Sequence, residues 1–224
     1  MADPGSGTES MANGRTSSVT APQGGGPQAA TRSDILRAAA ELFRARGYDA
    51  VSIRAVCEAA GITPPTLYHY FGNKEGLFKA VVADNLERFL ARLTQAVESA
   101  CTPVEALRAY VAAFLAHEST AGGQPDLMYR DRSAVAIGHD PDVQALAARV
   151  DRLRLGILEA GVAEGTFRPL DLRQAAFLIQ AVLHTYAFSH FAAGARRGAR
   201  EGLVAFVTDF ILHGLINTTR GAAE

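Results

Sequence analysis

"TPPTLYHYFGNKEGL", Thr63 to Leu77, has helical apolar spacing and yet places two adjacent prolines, Pro64 and Pro65, near its start. Proline lacks a backbone N–H and fixes φ near the helical value, so in a helix interior it costs roughly 3 kcal/mol, whereas first-turn N–H groups have no intrahelical partner to lose. The prolines therefore mark a beginning. Thr63 in front of them reads as an N-cap whose hydroxyl accepts from a free N–H of the first turn, and the spacing predicts a helix from Pro64 to about Tyr70. Gly72 stops it, and Asn73 is placed to cap a following helix that opens on Lys74. A helix this short cannot stand alone. Leu67 and Phe71, one turn apart, face inward, and Thr66, Tyr68, His69 and Tyr70 are offered to a partner.

Upstream, Ile35, Leu36, Ala39, Leu42 and Phe43 recur at three-four spacing from Ser33 onward, and Gly47 ends that run. Ser52 caps a second helix, "SIRAVCEAAGI", with Ile53, Val56, Cys57 and Ala60 on one face and Gly61 as its terminator. Ile62 tucks inward, and the proline-opened helix follows after a few residues. Two helices joined by so tight a glycine-containing turn form a helix-turn-helix.

Downstream, Leu77, Phe78, Val81, Leu86, Phe89, Leu90, Leu93 and Val97 mark a long helix from Lys74 to about Ala100, long enough to leave one core and enter another. Nothing beyond Pro103 alternates like a strand. "PVEALRAYVAAFLAHE" reads as one helix, "TAGGQPD" as a break, Leu127 to Ile137 as a short helix, and Pro141 to about Ala160 as another. "GVAEGTFRPLD" reads as a loop with Asp171 capping the next helix; the last two helices are expected at Leu172–Ala192 and Arg200–Asn217, with "GARRGAREG" as a flexible loop between them. These two are apolar nearly all round. A soluble protein cannot leave such surfaces bare, so a partner is expected, most simply a second copy of the chain.

The fold class is therefore all-α: residues 31–78 as a three-helix DNA-binding unit, joined by a long helix to a C-terminal bundle over 79–220. Residues 1–30, rich in Gly, Ser, Pro and Thr and without a signal-peptide apolar stretch, are expected to be a disordered tail. No run of about 18 apolar residues exists, so no membrane span is expected. Cys57 and Cys101 lack metal-ligand spacing and read as reduced thiols of a cytoplasmic protein.

The 224 residues carry a net charge of −1, so nucleic-acid contact has to come from a local patch. From Thr31 to Ala80, seven basic side chains face five acidic ones, a net of +2, which implies modest non-specific affinity per monomer and dependence on dimerisation. Arg54 can give a bidentate contact to guanine O6 and N7, a pair that discriminates by about 1–3 kcal/mol. Tyrosine and histidine donate to phosphate oxygens, and Lys74 sits at a helix N-terminus that favours an anion.

At "ILRAAAELFRARGYDAVSIRAVCEAAGITPPTLYHYFGNKEGLF", Ile35 to Phe78, the chain resembles the tetracycline-repressor (TetR) family of transcriptional regulators. The features that carry the likeness are a first helix ending F-x-x-x-G-Y, a Ser-capped second helix, A-G-I-T, then T-L-Y-H-Y-F and N-K-E. The resemblance implies a dimer on a palindromic double-stranded operator, released when an unknown small-molecule effector binds the C-terminal bundle; the apolar faces of the last two helices are where the homodimer is expected to form. It implies base-edge or groove contacts for Arg54, Pro64, Pro65, Thr66 and Tyr68, phosphate contacts for Tyr68, His69, Tyr70 and Lys74, and Ser52 and Thr63 near the DNA backbone. Two positions depart from the family pattern: Ala55 stands where an acidic residue often follows the cap, and Pro64 stands where many members carry a hydrogen-bonding reader.

For the effector pocket the candidates are Tyr110, Phe114, Met128, Tyr129, Arg132, Phe177 and His184, polar or aromatic residues in otherwise apolar helices, although core packing explains such residues as well. No cofactor or metal site is expected: His117, His139, His184, His190 and His213 form no i,i+4 pair and lack accompanying ligands. No phosphate loop or nucleophile elbow is present, so an enzyme is not expected. Two alternatives stay open from sequence, an activator of the same family and a ligand-binding helical protein or enzyme with a vestigial helix-turn-helix.

Overall fold

Thr31 opens the first helix with a reciprocal cap: the Asp34 N–H donates to its hydroxyl at 3.3 Å, and the Thr31 N–H donates to the Asp34 carboxylate at 3.0 Å. This cap sets the start of α1 (Arg32–Arg46) one residue before the expected Ser33. In the computed structural model, which describes residues 31–120, 139–191 and 197–216, α2 (Ile53–Ala60), α3 (Pro64–Phe71) and α4 (Lys74–Glu98) follow. Ser52 caps α2 by accepting from the Ala55 N–H at 3.1 Å, and Gly61 ends it in the left-handed conformation, φ 66°, which glycine adopts without penalty. Asn73 caps α4 by accepting from the Gly76 N–H at 2.7 Å.

The Thr63 cap differs from expectation. Its hydroxyl makes no bond to a first-turn N–H and instead pairs with the Thr66 hydroxyl at 3.0 Å. Two consecutive prolines have already removed the first two orphan donors of α3, so little is left there for a cap to satisfy.

The remaining described helices are α5 (Pro103–Thr120), α6 (Pro141–Ala163), α7 (Leu172–Phe191) and α8 (Arg197–Leu215). Asp140 caps α6 by accepting from the Asp142 and Val143 N–H groups, and Asp171 caps α7 by accepting from those of Arg173 and Gln174. Helix α6 runs past Ala160 to Ala163, and its Gly161 faces the Phe167 ring so closely that a Cβ there would collide with it. Most of "GARRGAREG" is helical rather than loop, since α8 starts at Arg197. Its Gly198 and Gly202 cost about 1 kcal/mol each relative to alanine. The tail over residues 1–30, the expected helix Leu127–Ile137 and most of "TAGGQPD" lie outside the described residues.

Two apolar cores result. The first gathers Ile35, Leu36 and Phe43 of α1, Val56 of α2, Leu67 of α3 and Leu77, Phe78 and Val81 of α4, all at most 2% exposed. The second is built around α5, whose Leu107, Tyr110, Val111 and Phe114 are fully buried against α4, α6, α7 and α8. Helix α4 spans roughly 37 Å at 1.5 Å per residue and changes cores between Leu86 and Phe89. Val143, in the first turn of α6, is fully buried in the first core. Lys79 of α4 sits 2.8 Å from both the Asp140 and the Asp142 carboxylate, so the start of α6 is fastened to α4 by packing and by charge.

Candidate functional site

Burial of Leu67 (0%) and Phe71 (9%) fixes the rotation of α3, and the opposite face is left open. On it Tyr68 and Tyr70 are 49% and 47% exposed, and Pro64, Pro65 and His69 are exposed as well. Thr66 is half-buried, tied to Thr63 through its hydroxyl. The two tyrosines lie in the second half of α3, on the same open side as the prolines that set its first turn, and together they give a short helix a continuous aromatic and apolar outer face.

Arg54 projects from the first turn of α2, 87% exposed along its side chain, and its Nε donates to the Glu58 carboxylate at 2.8 Å. This bond steadies the stem and raises the Arg54 pKa. Both terminal nitrogens of the guanidinium remain for a fork contact to a base. Ser52 is exposed with its hydroxyl engaged at the Ala55 N–H. Lys74 is held more closely than a free phosphate ligand: its ammonium lies 4.3 Å from the Tyr48 ring centroid and donates to the Asp49 carbonyl at 3.4 Å. Sequence spacing could not reveal this cradle, because Tyr48 and Asp49 come from the turn after α1. Arg32, not among the sequence candidates, stands 5.6 Å from the Phe71 ring and adds a cation at the end of α3.

In the C-terminal bundle Tyr110 and Phe114 are fully buried, and His184 is half-buried with its ring 5.0 Å from that of Phe114. Phe177 does not join them. It is 66% exposed on the outer side of α7, because a helix apolar nearly all round gives no signal of which face turns inward. Met128, Tyr129 and Arg132 lie outside the described residues. The structure adds Arg154 of α6, 3% exposed, which donates to the Tyr110 hydroxyl at 3.1 Å, to the Gln180 amide oxygen and to the Asp151 carboxylate at 2.6 Å. Gln180 in turn bonds to the His184 ring. A signal for Arg154 exists in the sequence: it stands one turn from Val150 and from Leu158, inside the apolar stripe.

Burial, and then the nearby Arg154 charge, pushes His184 down to about 4. Burial and Arg92 do the same to His117, whose ring lies 4.5 Å from that of Phe89. Both imidazoles are neutral at pH 7. Burial raises the Tyr110 phenol, partly opposed by Arg154.

Phe177, Leu178, Phe206 and Phe210 are each 61–66% exposed on α7 and α8. Between these helices lies an apolar groove of about 350 Å³, rimmed by Arg168, Asp171 and Gln174 and floored by Ile179, Ile211 and Leu215. Among the described residues no three His, Cys, Asp or Glu side chains are placed to hold a metal ion, and no helix is long and apolar enough to cross a membrane.

A family model for bacterial regulatory proteins of the tetR family matches residues 35–81, and one for the tetracyclin repressor-like C-terminal domain matches residues 100–188. The HTH-type transcriptional repressor KstR2 of Mycolicibacterium smegmatis is 32% identical over 145 residues, covering 63% of this chain and 69% of that protein. The HTH-type transcriptional regulator UidR of Escherichia coli K12 is 43% identical over 68 residues, 30% of this chain and 35% of its own length. Among solved structures, the TetR family regulator PfmR of Thermus thermophilus superposes with TM-score 0.66 at 27% identity, over 82% of this chain and 99% of that one. The fatty acid degradation regulator FadR of Bacillus halodurans shares the fold with TM-score 0.68 at 21% identity, over 83% and 100% of the two chains. The amino-terminal match coincides with the open face of α3, and on these grounds the chain belongs to the TetR family of DNA-binding transcriptional regulators.

Proposed function

We propose that the protein is a repressor that binds a palindromic operator as a homodimer and leaves it when a small molecule occupies the C-terminal bundle. The observation that carries the DNA half of this reading is the pairing of a buried Leu67–Phe71 edge with an exposed Pro64, Pro65, Tyr68 and Tyr70 face on one short helix. With α3 in the major groove, Arg54, Thr66 and Tyr68 read base edges and thymine methyls, while His69, Tyr70 and Lys74 hold phosphates, with Ser52 and Thr63 close to the backbone. The prolines fix the first turn before docking, so less entropy is lost on binding.

Dimerisation through α7 and α8 is favoured by the four large apolar side chains exposed there. A ligand can release DNA only by binding the DNA-incompetent spacing of the two heads more tightly than the competent one. Repression is the reading kept because occlusion of an operator requires nothing more of the protein than tight, reversible binding.

The test is selection of bound sequences from random DNA, followed by a mobility shift of the best site with wild type, Arg54→Ala and Tyr68→Ala. A palindrome retarded by wild type and lost in both variants, with their dimers intact by sedimentation, is the expected outcome. Unchanged retardation by both variants would remove α2 and α3 as the reading elements.

A further inference from the structure

Arg154 is buried with its charge and its donors only partly answered. Its Nη1 donates to two neutral oxygens, those of Tyr110 and Gln180, and its Nη2 donates to Asp151. Its Nε is buried and has no hydrogen-bond partner among the described residues. Among the described residues the one counter-charge in contact is Asp151, which stands three residues away on the same helix and is 57% exposed, so water competes for it. A buried guanidinium is tolerated when its donors are satisfied and its charge is matched nearby, and an unmatched one is costly. Among the described residues the other titratable groups of this network, Tyr110 and His184, are neutral and offer no charge.

A carboxylate suits this arrangement. The Nε–H and one Nη2–H form a planar edge that binds the two oxygens of a carboxylate in parallel. Such an anion would satisfy the orphan Nε and displace Asp151 outward, where water already reaches that side chain. The rings of Phe114 and His184, 5.0 Å apart, and that of Tyr110 lie on the adjoining helices and offer apolar contact to the rest of the ligand.

We propose that the effector is an apolar molecule bearing a carboxylate, and that Arg154 takes the carboxylate along its Nε and Nη2 edge. The proposal rests on the reading of the bundle as the effector-binding part of the regulator. It also supplies a route to the DNA: Arg154 lies eleven residues from Val143 on α6, roughly 16 Å along a continuous helix, and Val143 is packed into the core that supports α3. A ligand that replaces the Asp151 contact therefore acts on a rod whose far end belongs to the reading head.

The experiment is calorimetric titration of the full chain, without DNA, with octanoate, dodecanoate, hexadecanoate and 4-phenylbutyrate, each beside its primary amide. At least one acid is expected to bind ten-fold or more tightly than its amide, a preference abolished in Arg154→Met and reduced in Arg154→Lys, which keeps the cation but loses the fork. Arg154→Met/Tyr110→Phe removes both ends of the internal bond; it is expected to melt at or above the wild-type temperature, because the buried charge is retained for a ligand and not for stability. Equal binding of acid and amide, an acid preference that survives Arg154→Met, binding by no member of the series, or a large fall in melting temperature of the double variant would each overturn the proposal. Operator retardation by wild type is measured separately by mobility shift, so a failure of the DNA-binding reading is distinguishable from a failure at Arg154.

Discussion

Replacing Gly76 with alanine is expected to destabilise the protein, opposite in sign to the usual effect of this change within a helix. Alanine is favoured over glycine by about 1 kcal/mol in a helix interior. A Cβ built on Gly76, however, would lie 2.2 Å from the Phe71 carbonyl oxygen, a backbone atom, and 3.5 Å from Asn73 Oδ1. Relief requires a shift of the order of 1 Å where the end of α3 meets the start of α4, and overpacking of this kind costs typically 1–3 kcal/mol. The obstacle is backbone and Asn73 is held by its bond to the Gly76 N–H, so the cost belongs at the upper end and the net loss is about 1–2 kcal/mol. Gly156 is the internal control: it is exposed within α6 and an added Cβ would meet nothing within 4 Å, so Gly156→Ala should gain up to about 1 kcal/mol. For a chain of this size 1 kcal/mol moves the melting temperature by about 2–4 °C. Scanning calorimetry on both variants should give shifts of opposite sign, and Gly76→Ala should also weaken operator binding, because α3 itself is displaced. A Gly76→Ala protein that melts above wild type with full operator affinity would refute the reasoning.

Stability should fall as pH drops from about 6.5 to 4. Folding holds His117 and His184 at about 4 against an ordinary 6.5, so in that window the unfolded chain takes up protons that the folded chain refuses. The full shift is worth about 3 kcal/mol per ring, and about half that for half-buried rings screened by solvent; urea unfolding at pH 7 and pH 5 should reveal it, and His117→Gln should flatten the slope. Lys79→Met removes the cation shared by Asp140 and Asp142, so the variant should melt below wild type, by a margin that narrows as salt screens the pair and the repulsion left behind. A margin independent of salt would point to packing instead. Phe210→Asp places a charge in the exposed apolar face of α7 and α8, so sedimentation should register monomer and operator retardation should weaken; a variant that stays dimeric would move the interface elsewhere.

Helix boundaries between Gly47 and Asn73 are legible in the sequence because each is marked by a residue with a local physical role. Ser52, Gly61, Pro64, Gly72 and Asn73 act on their own turn of backbone and need no distant partner to be read. The inward set Leu67 and Phe71 follows from helical spacing, and with it the outward set that includes Tyr68 and Tyr70. What cannot be read depends on contacts between distant parts of the chain. Lys74 resting on Tyr48 and the α6 cap bound by Lys79 join segments that no periodicity links. Composition alone places Phe177 inward, yet α7 is apolar on too many sides for composition to orient it. Arg154 reads at first as one charge among the many of α6, although its place between Val150 and Leu158 puts it in the buried stripe.

The burial of Val143 among side chains of α1 to α4 has a consequence for anyone who would recombine these proteins. A fragment that ends with α4 lacks Val143 and the half-buried Leu146, and so exposes the apolar notch they fill. The amino-terminal helix-turn-helix unit is thus completed by a segment of the C-terminal helical part that lies more than 60 residues after α3. A chimera that exchanges reading heads between relatives has to carry the stretch from Asp140 to Leu146 along with the head, or refit Val143 to its new neighbours.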